Sequence, residues 1–436
     1  MRSSRVFGIW GLALLLSVLT AGSWGCAKLG GAPTVKISSW GDVKENAILT
    51  DLINEFMKSH PDVKVELQRV PWGEYNTKLL TQYAGGIAPD VIFVSTDNIA
   101  DLYYRHVLAP LDEYVKADPN FPVKDFYPTV MDRFTIDGSL YVIPRDISPV
   151  CLMYYNKKAF DEAGVAYPKD SWTWADFLAV SKKLVKKDAS GRVTRWAFTE
   201  DWAMVEPWIY SSGGRWVDNP QKPGKWAFDT PEFVRGLQFR ADLMLKYKIM
   251  PTPANMTAMG GTGSSDMFVN GTTAMMVSGV WKTPQFRDIK AFDWDVALFP
   301  RGPEGQRGYQ SGGSGYGIMN TCKNKKAAWD LVSFLSGADG QRKMAATGLV
   351  QPSLMSAANS PVFLDGQKPL NKKILLAAEP FGIFMPLMVN WLEFYQGSAI
   401  PTFDNIWSGK ITAQQAVSKL VEASKNRPLN VQSVGK

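Results

Sequence analysis

Apolar and polar positions between residues 63 and 97 predict a strand, a helix and a second strand in quick succession. In residues 63–70 apolar side chains alternate with polar ones, which is the period of a half-buried strand. Residues 75–83 carry apolar side chains at helical spacing, and two glycines then end the helix. Residues 91–94 form a short apolar run that is typical of a buried parallel strand. This segment therefore predicts a strand–helix–strand unit of an α/β fold.

The same alternation continues along most of the chain and predicts an α/β fold with largely parallel sheets. The predicted strands are residues 35–39, 63–70, 91–94, 140–143, 150–155, 274–278 and 316–319. The predicted helices are residues 44–58, 74–83, 98–105, 174–186, 231–246, 325–335, 341–346 and 412–425. A chain of 436 residues is longer than one hydrophobic core usually supports, so we expect two lobes.

Polar and aromatic residues directly follow the first three predicted strands. They are Trp40, Asp42, Trp72, Glu74 and Asp97. In an open α/β sheet, ligands bind just beyond the carboxyl ends of the strands, so we predict a binding crevice at this edge. Asp97 also has a second interpretation, as the N-cap of the helix predicted at residues 98–105.

The first 25 residues are typical of a secretory signal peptide. Two arginines precede an apolar core, residues 6–19, that is too short to span a bilayer comfortably. Cys26 follows small residues, which resembles the lipobox of bacterial lipoproteins, although Ser23 stands where that motif usually has an aliphatic residue. Ser23 and Gly25 also fit ordinary signal peptidase, so a lipid anchor at Cys26 and a soluble periplasmic product both stay open.

Charge and cysteine content give no indication of a nucleic-acid partner or a disulfide framework. The formal net charge is +7, and it falls to +5 when the two arginines of the signal peptide are removed. The lysines within residues 182–187 have no interleaved aromatic residues, so we interpret them as a solvated helix face. Cys151 and Cys322 lie in apolar contexts and are expected to be buried free thiols.

Motifs of common catalytic and cofactor sites are absent from the sequence. It has two histidines and no HExxH, CxxC, Walker A or GxSxG pattern. We therefore expect no cofactor, no metal and no enzymatic activity. Paired carboxylates for glycoside hydrolysis could still converge in the fold, so an exported carbohydrate-active enzyme is the rival hypothesis.

Five segments together resemble the extracellular solute-binding proteins of ABC sugar importers, the family that includes maltose- and glycerol-phosphate-type binding proteins. They occur in the family's order and are spread over nearly all of the exported chain. They are residues 63–97, IDGSLYVIPRDISPVCLMYYNKKAFDEAG at 136–164, SWTWADFLAVSKKL at 171–184, MFVNGTTAMMVSGVW at 267–281 and SGGSGYGIMNTCKNKKAAWDLVSFLS at 311–336. The resemblance implies a periplasmic-binding-protein-like type II fold, in which a multi-strand hinge joins two α/β lobes around a ligand cleft.

The resemblance also implies how the chain divides between the lobes. The N-terminal lobe would comprise residues 34–147 and 282–338, and the C-terminal lobe residues 148–281 and 339–430. The chain would then cross between lobes near Ile147, near residues 278–281 and near residues 336–340. Pro144 and Pro149 restrict the backbone around the first crossing, which is compatible with a hinge.

Aromatic residues give the second indication of ligand class. Fourteen tryptophans lie beyond residue 25, many of them beside glycine, proline or a charged residue. A flat ring matches the apolar face of a pyranose, while carboxylates and amides bind its hydroxyl groups. The tryptophans of this kind are Trp40, Trp72, Trp202, Trp208, Trp216 and Trp281, and the accompanying carboxylates are Glu74, Asp97, Asp146 and Glu206. For Trp208 a core position is an equally good interpretation.

The resemblance assigns roles to individual residues. Asp97 matches a ligand-contacting acidic position, and Trp281 matches the family's tryptophan at the cleft. Gly312 and Gly313 match a glycine-rich cleft turn, where backbone N–H groups can approach a ligand hydroxyl; a plain turn is the alternative. Trp391 and Tyr395 could close the far side of the cleft or pack within a helix.

Arg145 keeps the ligand class open. It could pair with Asp146 or Asp42, or it could bind a phosphate or carboxylate group of the ligand. Sugar phosphates, glycerophosphodiesters and uronates therefore stay open beside a neutral sugar. A neutral oligosaccharide is the first choice because aromatic residues outnumber candidate cations near the predicted cleft.

The resemblance implies an exported binding component of an ABC importer. It would capture a mono- or oligosaccharide between the lobes and deliver it to the transmembrane permease subunits, with the ATPase as an indirect partner. We expect a monomer that is attached to the membrane only through the N-terminal lipid and has no nucleic-acid partner. A sensor lipoprotein with the same fold is a further alternative.

Overall fold

The computed structural model describes residues 32–150, 152–201, 204–427 and 429. The predictions for the signal peptide, for lipid attachment at Cys26 and for the positions of Cys151 and Trp202 lie outside the described residues. Within them, no helix has the length and apolar character of a membrane span. Cys322 is buried as a free thiol, which confirms the prediction for that cysteine.

The strands form three main sheets and one hairpin. In chain order they are β1 Thr34–Ser39, β2 Lys64–Arg69, β3 Val91–Ser95, β4 Thr135–Ile136, β5 Ser139–Leu140, β6 Val142–Pro144, β7 Asp146–Val150, β8 Leu152–Asn156, β9 Lys186–Lys187, β10 Val193–Glu200, β11 Thr273–Ser278, β12 Trp294–Leu298, β13 Tyr309–Gly312, β14 Ser314–Ile318, β15 Gln351–Pro352 and β16 Gly382–Ile383.

The helices cover the faces of the sheets and fill the connections between strands. In chain order they are α1 Val43–Ser59, α2 Trp72–Ala84, α3 Ile99–Tyr104, α4 Asp112–Ala117, α5 Pro128–Phe134, α6 Lys157–Ala163, α7 Trp174–Leu184, α8 Glu206–Ser211, α9 Pro231–Leu245, α10 Pro253–Ala258, α11 Ser264–Val269, α12 Thr283–Phe286, α13 Lys325–Ser336, α14 Ala338–Thr347, α15 Met355–Ala358, α16 Ile374–Ala378, α17 Trp391–Phe394, α18 Ile400–Trp407 and α19 Ala413–Ser424. Val280–Lys282 is a single 3-10 turn, and Tyr395–Ala399 is a π-helical turn.

The first sheet has the strand order β2-β1-β3-β14-β6. β1 lies parallel to β2 and β3, whereas β14 runs antiparallel to β3 and β6. The strands and helices predicted between residues 35 and 105 are confirmed, with small differences at their ends. α1 begins where the Asp42 side chain accepts a hydrogen bond from the Glu45 backbone N–H at 2.9 Å, a regular N-cap.

The second sheet has the strand order β12-β8-β11-β10-β9. Only β10 and β11 are parallel; β8 runs antiparallel to β11 and β12, and β9 runs antiparallel to β10. The prediction of largely parallel sheets is therefore wrong here. An apolar run has the same pattern in either direction, so the sequence shows that a strand is buried but not which way it runs.

A small sheet between the two larger ones contains the connecting strands. Its order is β15-β7-β13-β16, with β7 antiparallel to both β15 and β13. β7 connects β6 of the first sheet to β8 of the second, and β13 leads back into β14 of the first sheet. Paired strands that run between two lobes restrict their relative motion to bending, so this sheet is the predicted multi-strand hinge.

Two hydrophobic cores accompany the two larger sheets. The first contains residues such as Ile37, Phe93 and Tyr316, and the second contains residues such as Tyr154 and Val296. Together with the hinge sheet, they give the two-lobed fold that was predicted.

The positions of two segments differ from the predicted lobe boundaries. β12 pairs with β8, so residues 294–298 belong to the second sheet, although the prediction assigned 282–338 to the first lobe. Met344 of α14 packs in the first core, although the prediction assigned 339–430 to the second lobe. Leu354 and Ala357, which follow β15, also pack in the first core, and Phe363 packs in the second. We therefore propose that the chain crosses between lobes at β7, at β13 and just after α15.

Candidate functional site

Asp97 lies half-buried just beyond the carboxyl end of β3. The N-cap of α3 is Asn98, whose side chain accepts a hydrogen bond from the Ser95 backbone N–H at 2.9 Å. The alternative interpretation of Asp97 as that cap is therefore wrong. Its carboxylate accepts a 3.4 Å hydrogen bond from the Thr96 hydroxyl. Burial raises the pKa of Asp97, and the charge of Arg133 opposes that rise.

Trp40 and Trp72 form an aromatic surface beside the sheet edge that carries Asp97. Their ring centroids are 4.8 Å apart in an edge-to-face arrangement, and Trp40 also contacts Tyr75 at 4.9 Å. Trp72 is 39 % exposed, so part of its ring is available to a ligand. Asp42 and Glu74 are exposed at the starts of α1 and α2, where Asp42 serves as the cap of its helix.

Arg145 and Asp146 belong to a buried ion-pair network in the hinge. The Arg145 guanidinium donates to Asp146 at 2.7 Å and to Glu45 at 2.8 and 2.9 Å. Asp146 also accepts hydrogen bonds from the Ser314 backbone N–H and hydroxyl at 2.9 and 2.8 Å. Burial opposes the charge, but the two carboxylates outweigh it and raise the pKa of Arg145. Arg145 thus pairs with Asp146, as one alternative held, and its second partner is Glu45 rather than Asp42. This network favours a structural role for both residues.

Gly312 and Gly313 form the turn from β13 into β14. A Cβ atom on Gly313 would lie 2.8 Å from the Asp146 carbonyl oxygen, so only glycine fits against the hinge there. The Gly313 carbonyl accepts a hydrogen bond from the Thr96 backbone N–H at 3.0 Å, next to Asp97. Gly312 has more space, because a Cβ atom there would lie 3.6 Å from its nearest neighbour, the Ser148 carbonyl oxygen. The turn therefore holds the hinge against the sheet edge that carries Asp97.

Glu206 is a buried carboxyl group at the start of α8, whose neighbouring residues pack in the second core. One of its oxygens accepts hydrogen bonds from the Tyr395 hydroxyl at 2.7 Å and from the Trp216 indole N–H at 3.3 Å. Burial raises the pKa of Glu206 to about 7, and the charge of Asp97 adds to that rise. The two carboxyl groups, one near each sheet, therefore influence each other electrostatically.

Trp208 is a core residue, contrary to the prediction that it contacts the ligand. It is 0 % exposed, and its ring packs 4.5 Å from that of Phe299. Its indole N–H donates to Glu200, which also accepts a 2.8 Å hydrogen bond from Arg240. The Glu-Pro-Trp segment carries no local sign of burial because α8 is short and its neighbours come from distant segments.

Trp391 is almost fully buried in the aromatic cluster around Glu206. Its ring lies 5.4 Å from Trp216 and 5.6 Å from Tyr395. Asn390, the residue before it, donates its backbone N–H to the Asp101 carboxylate of the first lobe at 2.7 Å. Trp391 therefore supports the aromatic cluster, and Tyr395, which is half-buried, is the member with exposed surface.

Trp281 lies at the junction between the two cores. Its half-buried ring packs against apolar residues of both of them. The 3-10 turn Val280–Lys282 directly after β11 places it there. Gly279 makes room for the ring: a Cβ on Gly279 would be only 1.8 Å from a ring carbon of Trp281.

Gly279→Ala is expected to displace the Trp281 ring without straining the backbone, because Gly279 has an extended conformation that any residue adopts. If the ring contacts the ligand, affinity should fall by about threefold to tenfold. The measurement is calorimetric titration with a sugar that the parent protein binds. The control variant is Gly263→Ala, where the added methyl group meets only ordinary contacts. Equal affinities for the two variants would argue against Trp281 as a contact.

The structure thus separates the predicted site residues into two groups. Those that keep exposed or half-buried surface are Trp40, Asp42, Trp72, Glu74, Asp97, Trp281 and Gly312, whereas those engaged in the core or hinge are Arg145, Asp146, Glu206, Trp208, Gly313 and Trp391. The sequence points to Trp216 and Tyr395 without assigning them to the site, and it gives no local sign of Arg133. The available signal for Trp216 was the pair of glycines, Gly213 and Gly214, one residue removed from it.

A sequence profile of the bacterial extracellular solute-binding proteins matches residues 40–342. The chain belongs to this family. The matched region covers the strands of the two larger sheets except β1, together with the hinge strands β7 and β13. The predicted family is therefore confirmed.

Two curated relatives resemble this solute-binding protein over most of its length. The arabinooligosaccharide-binding protein of Halalkalibacterium halodurans is 26 % identical over 335 residues, covering 74 % of this chain and 71 % of the relative. An uncharacterised lipoprotein of Streptomyces antibioticus is 25 % identical over 408 residues, covering 92 % of this chain and 88 % of the relative.

A solved structure with the same fold is the ABC substrate-binding protein Lmo0181 from Listeria monocytogenes in complex with cycloalternan. It is 25 % identical in sequence and superposes with a TM-score of 0.81, covering 90 % of this chain and 98 % of the other. The two-lobed fold of this solute-binding protein is therefore a known architecture, and its type II assignment is confirmed.

Proposed function

We propose that this protein captures an oligosaccharide in the cleft between its lobes and delivers it to the permease of an ABC importer. The family and the sugar-binding relatives support the carbohydrate class. The observation that carries the proposal is the position of Trp281, which packs against both cores where the two lobes meet. A ring in that position would contact a sugar in the cleft and both lobes at once.

The chemistry of the cleft surfaces suits a sugar. Trp72 offers a partly exposed ring, and Tyr395 offers a half-buried ring, so each lobe supplies apolar area for a pyranose face. Asp97, which is half-buried, supplies carboxyl oxygens that can bind hydroxyl groups. We propose these residues with Trp40 and Trp281 as the ligand contacts.

A neutral sugar is favoured over a phosphorylated or acidic one. Arg145 was the residue on which the anionic alternatives rested, and its guanidinium is engaged by Glu45 and Asp146. We therefore propose a neutral mono- or oligosaccharide.

Capture requires closure and no bond breaking. Contacts from both lobes stabilise the closed arrangement relative to the open one, so sugar binding shifts the population toward it. We propose that the protein is not an enzyme and that it acts as a monomer. We also propose that a lipid at Cys26 anchors it to the outer face of the cell membrane. A homologous lipoprotein supports that anchor.

The direct test is a titration of the purified protein with mono- and oligosaccharides, polyols and sugar phosphates, followed by tryptophan fluorescence and thermal shift. A saturable response to one neutral sugar series is expected, with the sugar recovered intact afterwards. A response only to phosphorylated compounds would contradict the neutral-sugar proposal. Hydrolysis of the sugar would contradict the assignment as a binding protein.

A further inference from the structure

Arg133 lies on α5 of the first lobe and reaches into the second. Val130 and Phe134 of the same helix are buried in the first core. The Arg133 guanidinium is 1 % exposed and donates two hydrogen bonds to the Thr96 carbonyl, at 2.6 and 2.9 Å. It therefore holds the residue directly before Asp97.

The remaining hydrogen bonds of Arg133 cross to two segments of the second lobe. It donates to the Met385 carbonyl at 2.8 Å, to the Pro220 carbonyl at 3.2 Å and to the side-chain oxygen of Gln221 at 3.5 Å. Met385 is buried in the second core. The Pro220 carbonyl also accepts the Leu387 backbone N–H at 2.7 Å, so the two segments are tied to each other. The Arg133 side chain thus connects the end of β3 to two loops of the other lobe that are hydrogen-bonded to each other.

The charge of Arg133 makes these contacts strong. Burial lowers the pKa of Arg133 to about 10, and Asp97 and Tyr210 oppose that shift, so the side chain is a cation at neutral pH. Hydrogen bonds from a cation to carbonyl oxygens are roughly twice as strong as neutral ones. Opening the lobes would expose the guanidinium and separate it from two of its three carbonyl partners.

A second contact crosses the lobes close by. Asp101 of α3 accepts the Asn390 backbone N–H of the second lobe at 2.7 Å. Thr129, on the same helix as Arg133, donates to Glu379 at 2.8 Å, but this hydrogen bond is exposed to solvent. Exposed contacts of that kind contribute little, whereas buried charge-assisted ones contribute several times more.

We propose that Arg133 is a positioning residue that holds the two lobes together and fixes Thr96 and Asp97 at the cleft. It acts on the equilibrium between open and closed arrangements and does not itself contact the sugar. The apparent affinity of a ligand falls in proportion to the fraction of molecules in the binding-competent arrangement. The effect on sugar affinity rests on the proposed function, whereas the effect on the lobes does not.

The test compares Arg133→Met with Thr129→Ala, which removes an exposed interlobe hydrogen bond from the same helix. Small-angle X-ray scattering gives the radius of gyration without ligand, thermal unfolding checks the fold, and calorimetry gives the affinity for a bound sugar. Arg133→Lys replaces Arg133→Met if the methionine variant does not fold, because it keeps the charge but not the branched set of donors.

The expected result is a larger radius of gyration for the Arg133 variant without sugar, and affinity weakened on the order of tenfold. Thr129→Ala should match the parent in both measurements. An unchanged radius of gyration in a folded Arg133 variant would overturn the proposal whether or not any sugar binds. A larger radius with no sugar binding by the parent protein would uphold the interlobe role of Arg133 and contradict the proposed function instead.

Discussion

Replacing Trp281 with alanine is expected to weaken sugar binding on the order of thirtyfold or more, which corresponds to about 2 kcal/mol. The ring packs against both cores, so its removal takes away apolar contact from the ligand where the lobes meet. Aromatic residues in such central positions dominate binding energies, because surrounding contacts exclude water from them. Calorimetric titration is the suitable measurement, because fluorescence would change with the loss of the tryptophan itself.

Trp226→Ala is the matched control for Trp281→Ala. Trp226 is also half-buried, but it packs against Phe228 and Phe394 beside the final helix, away from the junction between the cores. Its removal should leave sugar affinity nearly unchanged while lowering stability. If both variants lose affinity equally, or if Trp281→Ala binds like the parent, Trp281 is not a ligand contact.

Glu206→Gln is expected to stabilise the protein at pH 8 by as much as about 3 kcal/mol, and to have a much smaller effect near pH 5. The pKa of Glu206 is raised from 4.5 to about 7, first by burial. Between about pH 4.5 and pH 7, the Glu206 carboxyl group of the folded protein therefore retains a proton that the unfolded chain has lost. The contribution of this proton to stability is complete below about pH 4.5 and is lost as the pH rises through about 7. Glutamine remains neutral throughout and can still accept from Tyr395 and Trp216.

Urea unfolding at several pH values between 5 and 8 measures this difference directly. Glu113→Gln is the control, because Glu113 is exposed in the first turn of α4 and should change stability only slightly at every pH. A Glu206→Gln variant whose stability runs parallel to that of the parent over the whole range would contradict a raised pKa at Glu206.

The sequence was sufficient for the elements of the first lobe because its strands and helices carry clear periodic patterns. β1, α1, β2, α2 and β3 lie close to their predicted positions. Strand direction in the second sheet was not predictable, because β8 and β12 pair through residues more than a hundred positions apart. The same long-range pairing determines which core each segment joins.

The site residues were likewise predictable only where their role depends on local sequence. Residues that follow strands of the first sheet, such as Trp72 and Asp97, were found from local sequence and lie at the expected edge. Trp208 and Arg145 have local sequences typical of a site, but distant partners engage them: Phe299 in one case, Glu45 in the other. Arg133 was missed because its role depends on loops near residues 220 and 385 that only the fold brings to it.

The most direct test of an interlobe sugar site is a crystal structure of the protein grown with the sugar that gives the strongest titration response. We predict that a sugar ring packs on Trp281, with hydroxyl groups within hydrogen-bond distance of Asp97 and residues of the second lobe in contact with the same sugar. Sugar bound only elsewhere, for example in the surface groove lined by Trp226 and Arg427 beside α19, would contradict an interlobe site.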